Sequence, residues 1–225
     1  MLEWLPEQIS TYGGQIDSIL YVIYYVVGFW FLLAQGFLIG FVIWYWKRTG
    51  ENEDVPYVPA RRYSVMAVVL IPGAMVLGCD LAIDFWQESA WAHIKEHRPE
   101  AEKRVKITAK QFTWKFQYPG PDGEFDTEDD FRTHKELHVP ADQNVVFHLT
   151  SRDVIHSFWV PTMRLKQDAV PGRTIKGWFN ATKPGEYEIM CAELCGIGHG
   201  VMDGRLIVHK NDDYEKWRNK QITND

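Results

Sequence analysis

The chain has 225 residues, 46% of them hydrophobic, 14% aromatic and 24% charged, with a net charge of -6. That length allows one or two domains with a real core, and the acidic balance argues against a nucleic-acid partner. Three cysteines cannot all pair and no Cys-x-x-Cys-His haem-attachment sequence occurs, which excludes a disulfide framework and a covalently attached c-type haem.

Residues 1–17 are short and mixed, without a basic n-region or a small-residue cleavage site, so no cleaved signal peptide is expected. Ser18 to Trp46 then runs 29 residues without a charge, longer than the ~20 needed to cross a hydrocarbon core. Tyr21, Tyr24 and Tyr25 near one end and Trp44, Tyr45 and Trp46 at the other read as interfacial aromatic belts, and Gln35 in mid-span as a helix-packing contact. Lys47, Arg48, Arg61 and Arg62 bracket a loop containing Pro56 and Pro59. Four basic residues put that loop on the cytoplasmic side, and Glu51, Glu53 and Asp54 count little against them. A second span follows from Tyr63 to Trp86, uncharged through Cys79 and interrupted by Pro72-Gly73. Asp80 and Asp84 lie near its outer end on one helical face, either solvated at the interface or facing a partner subunit or water path. The expectation is a membrane hairpin over residues 1–86, helices 18–46 and 63–86, with both termini outside the cytoplasm.

Residues 87–104 read as a polar, partly helical connector. From Val105 the pattern changes to short strands between turns: Val105–Tyr118, Lys135–Pro140, Asn144–Thr150, Thr174–Ala181, Glu186–Cys191 and Gly204–His209. The expected fold of 105–225 is an extracytoplasmic, all-β antiparallel sandwich of the Greek-key kind, ending in a charged, solvated helix over Asp212–Gln221. Between the first two strands, Pro119–Asp130 carries six carboxylates in nine residues. Asp122, Asp126, Asp129 and Asp130 are hard oxygen donors suited to calcium, although the twelve-residue EF-hand pattern is not met. An acidic docking patch for a basic cytochrome and a simple solvated loop are the other readings.

The densest chemistry is Cys191-x3-Cys195-x3-His199-x2-Met202. Thiolate and thioether are soft donors and imidazole suits copper, zinc and iron, so the set points to a soft transition metal. Zinc would take Cys and His and leave the Met unused. Cys, His and Met together on one loop match cupredoxin copper sites, and a C-terminal ligand loop suits a cupredoxin-like Greek key. Two cysteines, however, are one more than a mononuclear blue-copper site uses. A pair of bridged metals would need a second imidazole, for which His156 is the candidate, and a weak oxygen, for which the Glu193 carbonyl is the candidate. His93, His97, His134, His138, His148 and His209 are scattered and read as surface or core residues, and Cys79 as a buried membrane thiol.

These residues resemble the binuclear CuA centre of subunit II of the haem–copper (cytochrome c) oxidases. Met163–Arg173 also resembles that family's LKxDAxPGR segment, and hairpin, sandwich and copper loop follow in the family's order. The resemblance implies two copper ions held by Cys191, Cys195, His156, His199, Met202 and the Glu193 carbonyl. It implies magnesium at the Glu193 carboxylate, and contact with a haem-bearing catalytic subunit I at Asp168 and Arg173. Other oxidase subunits and the lipid bilayer would surround the chain in a respiratory membrane of the bacterial inner-membrane type. Electrons would come from a cytochrome c, or a cytochrome c domain, and pass to haem for proton-pumping oxygen reduction. Gln111–Tyr118 is similar to the family's QWYWxYxY segment, whose first Trp is associated with electron entry; that position is Phe112 here and Trp114 matches the second Trp. The departure leaves entry through Phe112 or Trp114, or an unconventional donor. Val65 stands where the family often has a proton-uptake Glu, so no uptake residue is assigned. Rival readings are a nitrous-oxide reductase domain, disfavoured by the two spans; a copper-free quinol-oxidase subunit, disfavoured by the ligand set; and a copper-delivery thiol protein, disfavoured by Met202 and the lack of βαβ alternation.

Overall fold

The computed structural model of the protein describes residues 5–46, 59 and 63–224. The basic pairs Lys47-Arg48 and Arg61-Arg62, with Pro56, Glu51, Glu53 and Asp54, lie outside the described residues. The chain divides into two compact units: one contains Gln15–Trp91, the other the segment up to Gly14 together with everything from Ala92.

The first unit consists of α1 (Gly13–Trp46) and α2 (Tyr63–Trp91), both long and apolar enough to cross a membrane. Many of their large side chains are exposed, Leu32 at 70% and Val68 at 74%, an apolar surface suited to lipid or to partner helices. Pro72 sits inside α2 without ending it, as membrane helices allow. Both helices outrun the expected ends at Ser18 and Trp86. At the second, polarity alone does not stop a helix: Gln87 Nε2 donates to Asp84 Oδ1 at 2.8 Å, and a π-helical turn continues over Ala92–Glu96. The start of the expected connector is therefore helix.

The segment before α1 belongs to the β domain rather than to the hairpin, a correction to the expected boundary. Ile9 and Tyr12 are buried. The Ile9 N–H donates to the Thr162 carbonyl at 2.9 Å, the Thr182 N–H to the Ile9 carbonyl at 2.7 Å, and Ser10 bridges Ala181. Tyr12 then meets Trp178 edge-on at 5.3 Å. The segment thus adds to the edge of the sandwich beyond Asn180.

The β domain holds ten strands: β1 Lys103–Lys110, β2 Thr113–Tyr118, β3 Phe131–His134, β4 Glu136–Pro140, β5 Asn144–Ser151, β6 His156–Val160, β7 Leu165–Ala169, β8 Ile175–Asn180, β9 Gly185–Cys191 and β10 Asp203–His209. They form two five-stranded sheets, β3-β2-β1-β5-β8 and β4-β10-β9-β6-β7. Their inner faces close over Ile107, Trp114, Phe116, Phe147, Leu149, Leu137, Phe158, Ile189 and Leu206. The expected run Val105–Tyr118 is a hairpin folded at Gln111-Phe112. Strands β3 and β7 lacked the alternation that marks a half-buried strand; β7 reads Leu-Lys-Gln-Asp-Ala. The sandwich is also not wholly antiparallel, because β1–β5 and β4–β10 pair in parallel. After β3 the chain crosses to the second sheet for β4 and returns for β5, and such crossovers generate parallel neighbours.

The closing helix α3 (Asn211–Asn224) is docked rather than solvated on all sides. Tyr214 is buried, and Trp217 stacks on His138 with ring centroids 4.2 Å apart. His138 Nδ1 meets His209 Nε2 at 2.8 Å. Burial, and then the neighbouring His209, push His138 down to about 4, and burial lowers His209 as well. The unfolded chain protonates these groups near their ordinary value, so their contribution to stability is present above pH 6.5 and is lost as pH falls toward 4. We expect the β domain to lose on the order of 1–2 kcal/mol over that window, after allowance for solvent screening. A melting temperature that stays flat there, measured against a His138→Gln control, would contradict this packing. Ile9→Ala should likewise destabilise the β domain by about 2–4 kcal/mol in denaturant titration of the full chain. No effect would detach the N-terminal segment from the sandwich.

Candidate metal centre

The two sheet strands that carry cysteine and histidine set the site. β6 pairs β9 with Phe158 opposite Cys191, and β9 pairs β10 with Met190 opposite Asp203. The loop Ala192–Met202 therefore leaves and re-enters the sheet at adjacent positions. Its ends are tied by the Cys191 N–H to the Met202 carbonyl at 3.2 Å and the Ala192 N–H to the Ser157 carbonyl at 3.0 Å. Within it Gly196 has φ +134, a conformation that favours glycine. At Gly198 a Cβ would lie 2.5 Å from the Phe112 ring. The aromatic at the β1–β2 turn thus packs directly on the ligand loop, and Gln111 Nε2 donates to the Cys195 carbonyl at 2.6 Å.

The folded loop brings together all six donors expected from the sequence. Cys191 Sγ and Cys195 Sγ are 3.8 Å apart; His156 Nδ1 lies 3.9 Å from Cys191 Sγ and His199 Nδ1 3.7 Å from Cys195 Sγ. Met202 Sδ lies 3.8 Å from Cys195 Sγ, and the Glu193 carbonyl 3.3 Å from Cys191 Sγ. His156, Met202, Cys195 and Cys191 are buried, His199 half-buried, and Glu193 exposed. Among the described residues, the only group of three or more His, Cys, Asp or Glu ligand atoms within 4.8 Å of one another is His156, Cys191 and Cys195.

These residues fit a pair of soft metal ions. The sulfur spacing far exceeds the ~2.05 Å of a disulfide, and both thiols are free. It is shorter than two metal–sulfur bonds of ~2.3 Å laid end to end, so one ion can touch both sulfurs. Each sulfur has its own imidazole, and a weak donor stands beside each. Burial and the adjacent Cys191 push the Cys195 thiol up to about 11, so a bound cation would take the place of protons.

A residue that sequence reasoning missed orients the first imidazole. His156 Nε2 meets Asp153 Oδ1 at 2.8 Å, while Asp153 Oδ2 accepts the Gln111 N–H at 2.7 Å. Burial raises the Asp153 pKa, but the hydrogen bonds from Gln111, His156 and Val154 outweigh it and hold the carboxyl at about 2. An ionised carboxylate on Nε2 keeps the proton there and leaves Nδ1 free toward Cys191, the usual carboxylate–histidine–metal arrangement. The available signal was an acid three residues before a ligand His.

Phe112 is half-buried at the rim, whereas Trp114 is fully buried, edge-on to His156 with centroids 6.2 Å apart. Around them Leu194, Ile197 and Val201 are exposed, Ile197 completely. Asp168 accepts from the Ser157 hydroxyl at 2.7 Å. The backbone of Ser157 is tied to the loop, and Arg173 is exposed beyond it. The four Asp carboxylates of the acidic segment are each bonded to protein groups. Asp126 is paired with Lys106 at 2.8 Å, Asp130 with Gln117 and the Asp126 N–H, Asp129 with Thr127, and Asp122 with the Glu124 N–H. Asp130 Oδ1 is buried without a hydrogen-bond partner.

Asp153→Ala should lower copper affinity by about 10–100-fold, read by chelator competition on the full chain. Unchanged affinity would remove Asp153 from the site.

The profile of "Cytochrome C oxidase subunit II, periplasmic domain" matches residues 104–210. A cytochrome c oxidase subunit 2 of Thermostichus vulcanus is 30% identical over 95% of this chain and 77% of that protein. An alternative cytochrome c oxidase subunit 2 of Bradyrhizobium diazoefficiens is 28% identical over 98% and 84%. The crystal structure of the periplasmic domain of subunit II of cytochrome oxidase (CoxB) of Bradyrhizobium japonicum superposes with a TM-score of 0.51, at 28% identity, over 57% of this chain and 99% of that domain. With its two apolar spans, its sandwich and its Cys, His and Met loop, the chain belongs to the cytochrome c oxidase subunit II family, part of an oxidoreductase complex.

Proposed function

We propose that this chain is the electron-entry subunit of its oxidase, taking single electrons from a cytochrome c outside the cytoplasm and passing them to haem in the catalytic subunit for oxygen reduction coupled to proton pumping. The observation that carries this reading is the convergence of two thiols, two imidazoles, a thioether and a carbonyl around sulfurs 3.8 Å apart. Cys191, Cys195, His156, His199, Met202 and the Glu193 carbonyl would hold two copper ions, a pair that exchanges one electron with little change in bonding at either metal. The protein's part is to keep the donors in place before and after transfer. Sheet pairing fixes Cys191 and Met202, Asp153 fixes His156, and Gln111 with Phe112 fixes the loop from above. A buried redox site beneath an exposed apolar rim of Leu194, Ile197 and Val201 suits transfer to and from proteins that dry the contact.

Phe112, half-buried and touching the loop, is the better candidate for electron entry; Trp114, wholly interior, serves as packing behind His156. The exposed Glu193 carboxylate is available for magnesium, and Asp168 and Arg173 for contact with the catalytic subunit. The segment before α1 docks on the β domain, and α2 leads back into it. This favours both ends of the hairpin lying outside the cytoplasm.

In the purified oxidase complex, Cys191→Ser should abolish oxidation of reduced cytochrome c, while the catalytic subunit still binds carbon monoxide at its haem. A variant that turns over normally would refute electron entry through this loop. Phe112→Leu, which keeps apolar packing on the loop and removes the aromatic ring, should slow single-turnover electron entry with the copper spectrum retained. An unchanged rate would remove Phe112 from the route.

A further inference from the structure

Charge is unevenly divided between the two sheets. Strands β1, β2, β3, β5 and β8 contain no Asp or Glu, although the chain as a whole is acidic. The other sheet carries Glu136, Asp168, Glu186, Glu188 and Asp203. In β1 and β2 the residues Val105, Ile107, Ala109, Trp114 and Phe116 face the core, so Lys106, Thr108, Lys110, Thr113, Lys115 and Gln117 face out. Register extends this face, with Lys115 opposite His134 and Gln117 opposite Arg132. Arg152 joins it where its N–H donates to the Ala109 carbonyl at 3.0 Å.

The acidic segment 119–130 neutralises only part of this face. Asp126 binds Lys106 and Gln117, and the Arg104 guanidinium lies over the Phe125 ring at 5.7 Å. All of these contacts lie toward the end of the sheet away from the ligand loop; Lys106 is four residues, or ~13 Å of strand, from Lys110. Lys110, Lys115 and Arg152 have no carboxylate partner among the described residues. Burial, and then Arg132 and Arg152, push the Lys115 ammonium below its ordinary value, as a local excess of positive charge does. Lys110 precedes the Gln111-Phe112 turn that packs on the ligand loop, and Arg152 precedes the Asp153 that holds His156. Asp153, which follows Arg152 in the chain, is already bonded to Gln111 and His156.

We propose that the electron donor of this chain carries an acidic surface, which docks on the basic face of Lys110, Lys115 and Arg152 beside Phe112. The proposal rests on the electron-entry role argued above and names the kind of donor that role takes. Opposite charge on the two surfaces accelerates encounter and orients it, and salt weakens both effects. Each encounter moves one electron: the donor's ferrous haem becomes ferric, the copper pair is reduced by one electron, and no proton is needed at the contact.

The test uses the assembled oxidase and one mitochondrial-type cytochrome c in two forms, lysine-rich as isolated and made acidic by succinylation. Stopped-flow reduction is recorded against ionic strength, with ascorbate and an uncharged phenylenediamine mediator in parallel. The acidic form should react at least about tenfold faster at low salt, with a rate that falls as salt rises. Lys110→Glu, Lys115→Glu and Arg152→Glu together should reverse the preference; if the triple variant does not assemble, Arg152→Glu alone should narrow it several-fold. A faster reaction with the lysine-rich form, slowing as salt rises, would overturn the proposal. So would charge reversal that leaves both rates unchanged. Failure of the mediator to reduce the copper would overturn the electron-entry reading itself, whereas normal reduction by mediator without the donor preference overturns only the acidic-donor inference.

Discussion

The 3.8 Å separation of the Cys191 and Cys195 sulfurs rests on strand pairing, which places Cys191, and on the loop held by Gln111, which places Cys195. Cys191 is the last residue of β9, opposite Phe158 on β6, and Met202 is the residue before β10. Because β6 also begins with His156, three of the donors are tied to neighbouring strands of one sheet. Moving any of these strands by one residue would turn its ligand to the other face. The interior aromatic layer behind the site, Trp114 against His156 and Phe158, resists such a shift because close-packed interiors do not deform gradually. A metal pair whose bonding must change little during electron transfer is suited by a frame of this stiffness.

Local sequence carried the ligand identities because metal chemistry is written in residue type and spacing. Cys-x3-Cys-x3-His-x2-Met restricts the metals that fit, and the spans declared themselves by length and lack of charge. The long-range arrangements were less legible. Asp153 is unremarkable until its carboxylate is seen on His156 Nε2. Ile9 and Tyr12 read as a preface to the membrane until they are found in the sandwich edge. The charged pattern of α3 concealed that Trp217 and Tyr214 anchor it over His138 and His209. In each case the deciding partner lies far away in the chain, and periodicity has no access to it.

The acidic segment 119–130 shows the same limit at the level of charge. Six carboxylates in nine residues suggested either calcium or a basic docking partner, yet the fold turns several of them back onto Lys106, Gln117 and Thr127. What remains unpaired on the β1–β2 face beside the ligand loop is positive, so the net charge of the chain and the charge of that face have opposite signs. Association kinetics respond to the local field rather than to the total.

The electron-entry role depends on the number of metal ions that the loop holds. Copper should be counted, and an electron paramagnetic resonance spectrum recorded, on the full-length chain in detergent. Two coppers per chain, with the hyperfine pattern of one electron shared equally between two copper nuclei, is the result expected from sulfurs that can both touch each ion. One copper with the pattern of a single nucleus, or a chain that holds none, would contradict it.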